Sequence, residues 1–134
     1  MYLHELSDEE KNVFWSIANG VVMADGIKTE KETDLLMQYW SELGKEYEIY
    51  SPREIDVDKE IDKLQTSEAR IKKIICFELC GLVLADSDYS KEEKNMIEFI
   101  CERLDVSKEM LSKMEKCIKE ILKAYSELGE IFNA

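Results

Sequence analysis

Gly20-Val-Val-Met-Ala-Asp25-Gly-Ile-Lys-Thr-Glu-Lys-Glu32 returns later in the chain as Gly81-Leu-Val-Leu-Ala-Asp86-Ser-Asp-Tyr-Ser-Lys-Glu-Glu93. A constant offset of 61 positions relates the two copies, so Gly20 meets Gly81, Asp25 meets Asp86, Glu32 meets Glu93 and Leu43 meets Leu104. Internal repetition at one offset marks one supersecondary unit used twice. Each copy has an apolar stretch of helical period, a short polar break and a second amphipathic stretch. That order reads as a helical hairpin.

Working outward from the repeat, helix-start signals are frequent and β-alternation is nearly absent. Ser7-Asp-Glu-Glu10, Thr29-Glu-Lys-Glu32 and Ser90-Lys-Glu-Glu93 are capping boxes, in which a hydroxyl and a carboxylate three residues apart satisfy each other's backbone amides. The first opens a helix with Val13, Phe14, Ile17, Ala18, Val21 and Val22 on one face, ending near Ala24 where Asp25-Gly26 breaks it. The second opens a helix with Leu35, Leu36, Tyr39, Trp40 and Leu43, ended by Gly44. A short polar helix over about 53–65 follows, with Pro52 at its start. Thr66 or Ser67 caps a strongly apolar helix ending near Ala85, which belongs at the centre of the fold. The third box opens a helix carrying Met96, Ile97, Ile100, Cys101 and Leu104. Ser107 caps a last long helix with Met110, Leu111, Met114, Ile118, Ile121, Leu122, Tyr125 and Leu128.

The expected fold is therefore all-α, with six helices, or seven if the tail after Gly129 adds a turn. Its 134 residues suit one domain: hairpin 7–44, insert 45–66, hairpin 67–105 and C-terminal helix 107–128. The repeat also predicts a packing contrast. Trp15 and Trp40 in the first hairpin correspond to Cys76 and Cys101 in the second. If equivalent positions share a layer, two large rings fill it in one half and two small thiols in the other.

Charge narrows the function classes. A net charge of −12 disfavours nucleic acid, because phosphate contacts need clustered Lys and Arg, and it disfavours anionic membrane surfaces for the same reason. The longest apolar run, Ile74 to Ala85, is too short to span a bilayer and holds Glu78. Glu78 stands where the first copy has Ile17, and reads either as pointing outward at a helix edge or as a buried acid with a raised pKa. Cys76, Cys80, Cys101 and Cys117 form no Cys-x-x-Cys pair, and the start of the chain has no basic-then-apolar signal pattern. Both point to a cytoplasmic protein with reduced thiols.

The residues that could carry chemistry are the acids of the repeat: Asp25 with Glu32, and Asp86 with Glu93. Two readings apply. As caps, they accept loop and helix-start amides and suit the helix dipole. As ligands, the two tips converge across a pseudo-twofold axis and offer oxygen donors to Ca²⁺, Mg²⁺ or Mn²⁺. An EF-hand is excluded, since Lys91 and Ile97 stand at its glycine and glutamate positions. His4, the single histidine, reads as a surface residue near a mobile end. No phosphate loop and no Ser-His-Asp set is present. A third reading needs no metal: an interaction scaffold with a helical groove bordered by Tyr39, Trp40, Tyr47 and Tyr50.

At these residues the chain resembles the TerB-like (tellurite resistance TerB) family, whose hairpin carries Ala-Asp-Gly followed six residues later by Glu. Ala24-Asp25-Gly26 to Glu32 matches fully, and Ala85-Asp86-Ser87 to Glu93 matches with Ser for Gly. The resemblance spans roughly residues 10–128. It implies a pseudo-symmetric all-helical domain, a link to tellurite or other stress responses, and a metal or interaction role for Asp25, Glu32, Asp86 and Glu93. The leading expectation is a non-enzymatic protein that works through a divalent cation, a protein partner, or both.

Overall fold

The structure is a computed structural model and describes residues 1–23, 30–43, 56–84 and 90–134, without the side chains of Lys31 and Glu32. Among the described residues there are six α-helices and no strand. They are α1 (Asp8–Val22), α2 (Glu30–Leu43), α3 (Val57–Asp62), α4 (Ala69–Leu84), α5 (Lys91–Arg103) and α6 (Lys108–Phe132), preceded by a 3₁₀ turn at Leu3–Glu5. The chain is all-helical, as the periodicity requires. The helix stops expected at Ala24–Gly26, Gly44 and Ala85, the Thr29 cap and the Pro52 start lie outside the described residues.

The serine caps expected from the sequence are observed in three places. Ser7 and Glu10 form the full reciprocal box at α1: the Glu10 amide donates to Ser7 Oγ (3.2 Å) and the Ser7 amide to Glu10 Oε1 (2.9 Å). Ser107 Oγ accepts from the Met110 amide at 3.1 Å to start α6. Ser90 accepts from the Glu93 amide (3.1 Å), but its hydroxyl then donates to Glu93 Oε1 (3.0 Å). The fourth expectation changes. The helix α4 begins at Ala69, and the Ser67 hydroxyl instead donates to Glu10 Oε2 at 2.6 Å, tying the start of the second hairpin to the cap of the first. The short helix shrinks to Val57–Asp62 with Asp56 as its N-cap. Gly129 does not end α6, which continues to Phe132.

Helix α4 is the axis of the fold. It packs against α1, α2, α5 and α6, and Ile75, Leu79 and Leu82 are fully buried in it. The same core takes Phe14 and Ile17 from α1, Leu36 from α2, Ile61 from α3, Ile97 and Ile100 from α5, and Leu111 from α6. The pseudo-symmetric layer is realised. Trp15 and Trp40 lie with ring centroids 4.8 Å apart, and their equivalents Cys76 and Cys101 are buried with the Cys76 and Cys101 thiols hydrogen-bonded. One position earlier, Phe14 meets Tyr39 edge-on at 5.5 Å, and the equivalent Ile75 and Ile100 are both fully buried. Bulk in one hairpin is thus matched by small side chains in the other.

The end of α5 shows how the second copy manages without a glycine. Leu104 is the C-cap and Asp105 takes φ 61°, the left-handed region. The Val106 amide reaches Cys101 O (2.8 Å) and the Asp105 amide reaches Glu102 O (3.1 Å), which is a Schellman closure with Val106 buried behind it. The first copy has Gly44 at the equivalent position. A side chain in this region is strained, though Asp tolerates it better than most. The Lys72–Asp105 ion pair (3.7 Å) offers little in return, with Asp105 83% exposed. Asp105→Gly should therefore stabilise the fold by up to about 1 kcal/mol, read as a higher urea midpoint; a lower midpoint would show that the aspartate side chain contributes more than its backbone strain costs.

Candidate functional site

The four acids of the repeat can be followed only in part. Asp25 and Asp86 lie outside the described residues, as do the side chain of Glu32 and the residues Ser87 and Asp88. Glu93 is described, and it is buried at 3% exposure in the first turn of α5, held at Oε1 by the Ser90 hydroxyl. Glu92 beside it is exposed. Among the described residues, no group of three or more His, Cys, Asp or Glu side chains is placed to hold a metal ion. His4 is exposed, as expected, but the chain start around it is not loose.

That docked start is built on Glu78, where the buried alternative holds over the helix-edge reading. Glu78 is not at an outer edge; it is buried in the middle of α4 at 3% exposure. Its Oε1 accepts from the Tyr2 amide (2.9 Å) and lies 3.1 Å from the Met1 amino group. Glu42, at the end of α2, completes the arrangement: Oε2 accepts from the Met1 amine (2.9 Å) and Oε1 from the Leu3 amide (3.1 Å). The first amides of a helical turn have no partner inside it, and no side chain of the turn itself caps this one. Two carboxylates from distant helices take that role. Leu3 then inserts fully into the core, Tyr2 meets Phe77 edge-on at 5.9 Å, and Arg70 grips Glu5 with two hydrogen bonds of 2.8 and 2.9 Å.

The electrostatics follow. Burial acts to lower the Met1 amine pKa, but hydrogen bonds and charge from Glu42 and Glu78 outweigh it and hold it above its ordinary 8.0. The Tyr39 hydroxyl donates to Glu78 O at 2.7 Å. Burial first, then the Glu78 and Glu42 charges, raise its pKa well above the usual 10.0. The thiols are equally quiet. Hydrogen bonding to Cys101 and burial push Cys76 far up, and burial followed by the Glu115 charge pushes Cys80 up to about 12. Protonated buried thiols are poor nucleophiles and poor ligands. Cys117 is exposed.

Above this seam lies a groove of about 480 Å³ between α2, α4 and α6. Leu35, Tyr39, Phe77, Ile121, Leu122 and Tyr125 give it an apolar lining, while Asp34, Glu42 and Glu78 bring carboxylates to it. Gly81 forms part of the lining, and a Cβ there would sit in ordinary contact, 3.6 Å from Tyr39 Oη. Of the aromatics expected to border a groove, Tyr39 does so. Trp40 packs on Trp15 instead, and Tyr47 and Tyr50 lie outside the described residues. The groove opens onto an exposed apolar stripe on α6: Leu122 41%, Tyr125 62%, Leu128 43% and Phe132 75% exposed. The sequence carried a signal for this. The apolar period of α6 runs past the length that its neighbours can cover.

Among the described residues, no helix is long and apolar enough to cross a membrane. Comparison with known proteins finds no match: no family model, no curated protein and no solved structure.

The ion pairs fix the pH dependence of stability. The Met1 amine has a folded pKa above 8.0, so its contribution is complete below pH 8.0 and is lost as pH rises through the folded value. Glu5, through the Arg70 hydrogen bond, and Glu10, through Ser67 and Ser7 against burial, lie below 4.5. Their contributions are complete above pH 4.5 and are lost as pH falls. Urea midpoints across pH should show a plateau between the two limits. Glu78→Gln should lower the plateau by about 1–3 kcal/mol and flatten the alkaline limb; an unchanged alkaline limb would remove Glu78 from this role.

Proposed function

We propose that the chain is a non-enzymatic interaction domain that binds a protein partner in the groove between α2, α4 and α6. The observation that supports this most directly is the continuity of the groove with the α6 stripe. Four large apolar side chains at helical spacing stand open beside a concave apolar surface with carboxylates at its margin. Contiguous exposed apolar surface with a polar border is the usual mark of a recognition site. The charge of −12 supports a protein partner over nucleic acid or an anionic membrane. A cytoplasmic setting accords with four thiols and no Cys-x-x-Cys pair. The repeated Ala-Asp-Gly/Ser…Glu pattern supports reading the domain as TerB-like, with a role in tellurite or other stress responses.

A second reading keeps a divalent cation, Ca²⁺, Mg²⁺ or Mn²⁺, at the acidic hairpin tips. Its support is the repeat itself, which puts Asp25 with Glu32 and Asp86 with Glu93 at equivalent positions, an oxygen-only donor set suited to such ions.

Two experiments separate these readings. A partner bound through the groove should be lost with Leu122→Ser/Tyr125→Ser, whose parent side chains are exposed enough that stability changes by only about 0.5 kcal/mol. Its binding should show a negative heat-capacity change and indifference to EDTA; retention by the double variant would remove the groove from the reading. For the cation, metal-stripped protein is heated with each ion beside Asp25→Asn/Asp86→Asn. An ion at 100 times its Kd should add about 2.7 kcal/mol to wild type and nothing to the variant, while equal curves for both would leave the acids as caps.

A further inference from the structure

We infer that the occupant of the groove is an amphipathic helix carrying basic residues beside its apolar face, an inference that rests on the interaction reading above and specifies its partner class. Shape is the first argument. The apolar surface follows α6 from Ile118 through Ile121, Leu122, Tyr125 and Leu128 to Phe132, one face of the helix sampled every three or four residues. Fifteen residues of helix run about 22 Å. An apolar track of that length beside a trough matches a partner helix of about four turns, with anchors at i, i+3, i+4 and i+7. Gly81 lines the groove without a side chain of its own, so an incoming anchor meets backbone and the Tyr39 hydroxyl there.

Charge selects among helices. Asp34, Glu42 and Glu78 all line the groove, and the Met1 amine is the cation among its lining residues. That amine is already held by Glu42 and Glu78. The surplus is negative, with Asp34 and Glu42 on α2 and Glu78 on α4 lining the same trough as the α6 residues. The positions flanking that track include Ala124 and Ser126, with Lys119 and Lys123 further round the helix. An incoming helix with Lys or Arg along one border would set them against Asp34 and Glu42. The same charges count against a second copy of this chain. Each copy brings −12, so two copies would meet as bodies of like charge.

The probe is a labelled, roughly 15-residue peptide helix of Leu and Lys with leucines at i, i+3, i+4 and i+7. It is compared with a twin in which Glu replaces Lys, by fluorescence anisotropy on the full chain. The Lys peptide should bind, and the Glu twin should bind at least about tenfold more weakly. Leu122→Ser/Tyr125→Ser should weaken the Lys peptide about tenfold or more. Asp34→Asn should weaken it about threefold, and Glu102→Gln, an exposed acid on α5, should leave it unchanged. Equal binding of both peptides would overturn the basic class and leave the groove reading intact. Binding of neither, with a natural partner still dependent on Leu122, would do the same. Lys-peptide binding that ignores Leu122 and Tyr125 but falls with Glu102→Gln would overturn the groove itself. Sedimentation of a wild-type dimer dissociated by Leu122→Ser/Tyr125→Ser would name a second copy as the occupant and overturn the proposal.

Discussion

A carboxylate in the middle of the most central helix must be compensated, and the way Glu78 is compensated organises one whole side of the molecule. An ionised acid removed from water is costly unless charge and hydrogen bonds surround it. Glu78 meets the first amide and the amino group of the chain, which Glu42 shares. The 3₁₀ turn is thereby anchored across α2 and α4, Leu3 is delivered into the core, and the Met1 side of the groove is set. The backbone carbonyl of the same residue holds the Tyr39 hydroxyl. One residue thus joins α2, α4 and the start of the chain.

Against this seam the repeat behaves as a scaffold with deliberate departures. Where the first hairpin has Ile17, the second has Glu78; where the first has Trp15 and Trp40, the second has Cys76 and Cys101. The departures do not disturb backbone registration, since both halves place equivalent positions in the same layer. They alter what each half can do. The first hairpin is bulky in that layer, and the second presents the acid that receives the N-terminal turn. Arg103 then ties α3 to α5 through Asp58 (2.7 Å) and Asp62, so the segment between the repeats is anchored to the second of them.

The helices and their caps were legible in the sequence because they depend on local chemistry. A hydroxyl and a carboxylate three residues apart, as in Ser7 and Glu10, or a serine ahead of an apolar period, as in Ser107, act within one turn. Glu78 was not legible for the opposite reason. An acid in an apolar run ordinarily marks a helix edge, and nothing near it in sequence says that an amine 77 positions away will meet it. Ser67 misled similarly: its hydroxyl reads as a cap, and a carboxylate 57 positions away claims it. Gly129 reads as a stop, yet α6 passes through it, because a single glycine costs a helix only about 1 kcal/mol. Of the candidate site, the acidic tips were read from spacing alone, and Glu93 is the one whose side chain is described. The groove required a tertiary fact, namely how far α6 outruns the helices that cover it.

The contact between the two tilted indoles has an optical consequence. The chain holds two tryptophans, and both belong to the Trp15–Trp40 contact in the first hairpin. Indole emission and any exciton signal in the near-ultraviolet therefore report on that hairpin alone, while backbone circular dichroism sums over both. The molecule carries a built-in probe of one half of its own repeat. Coincidence or separation of the two signals during unfolding reads directly whether the halves melt as one cooperative unit or in sequence.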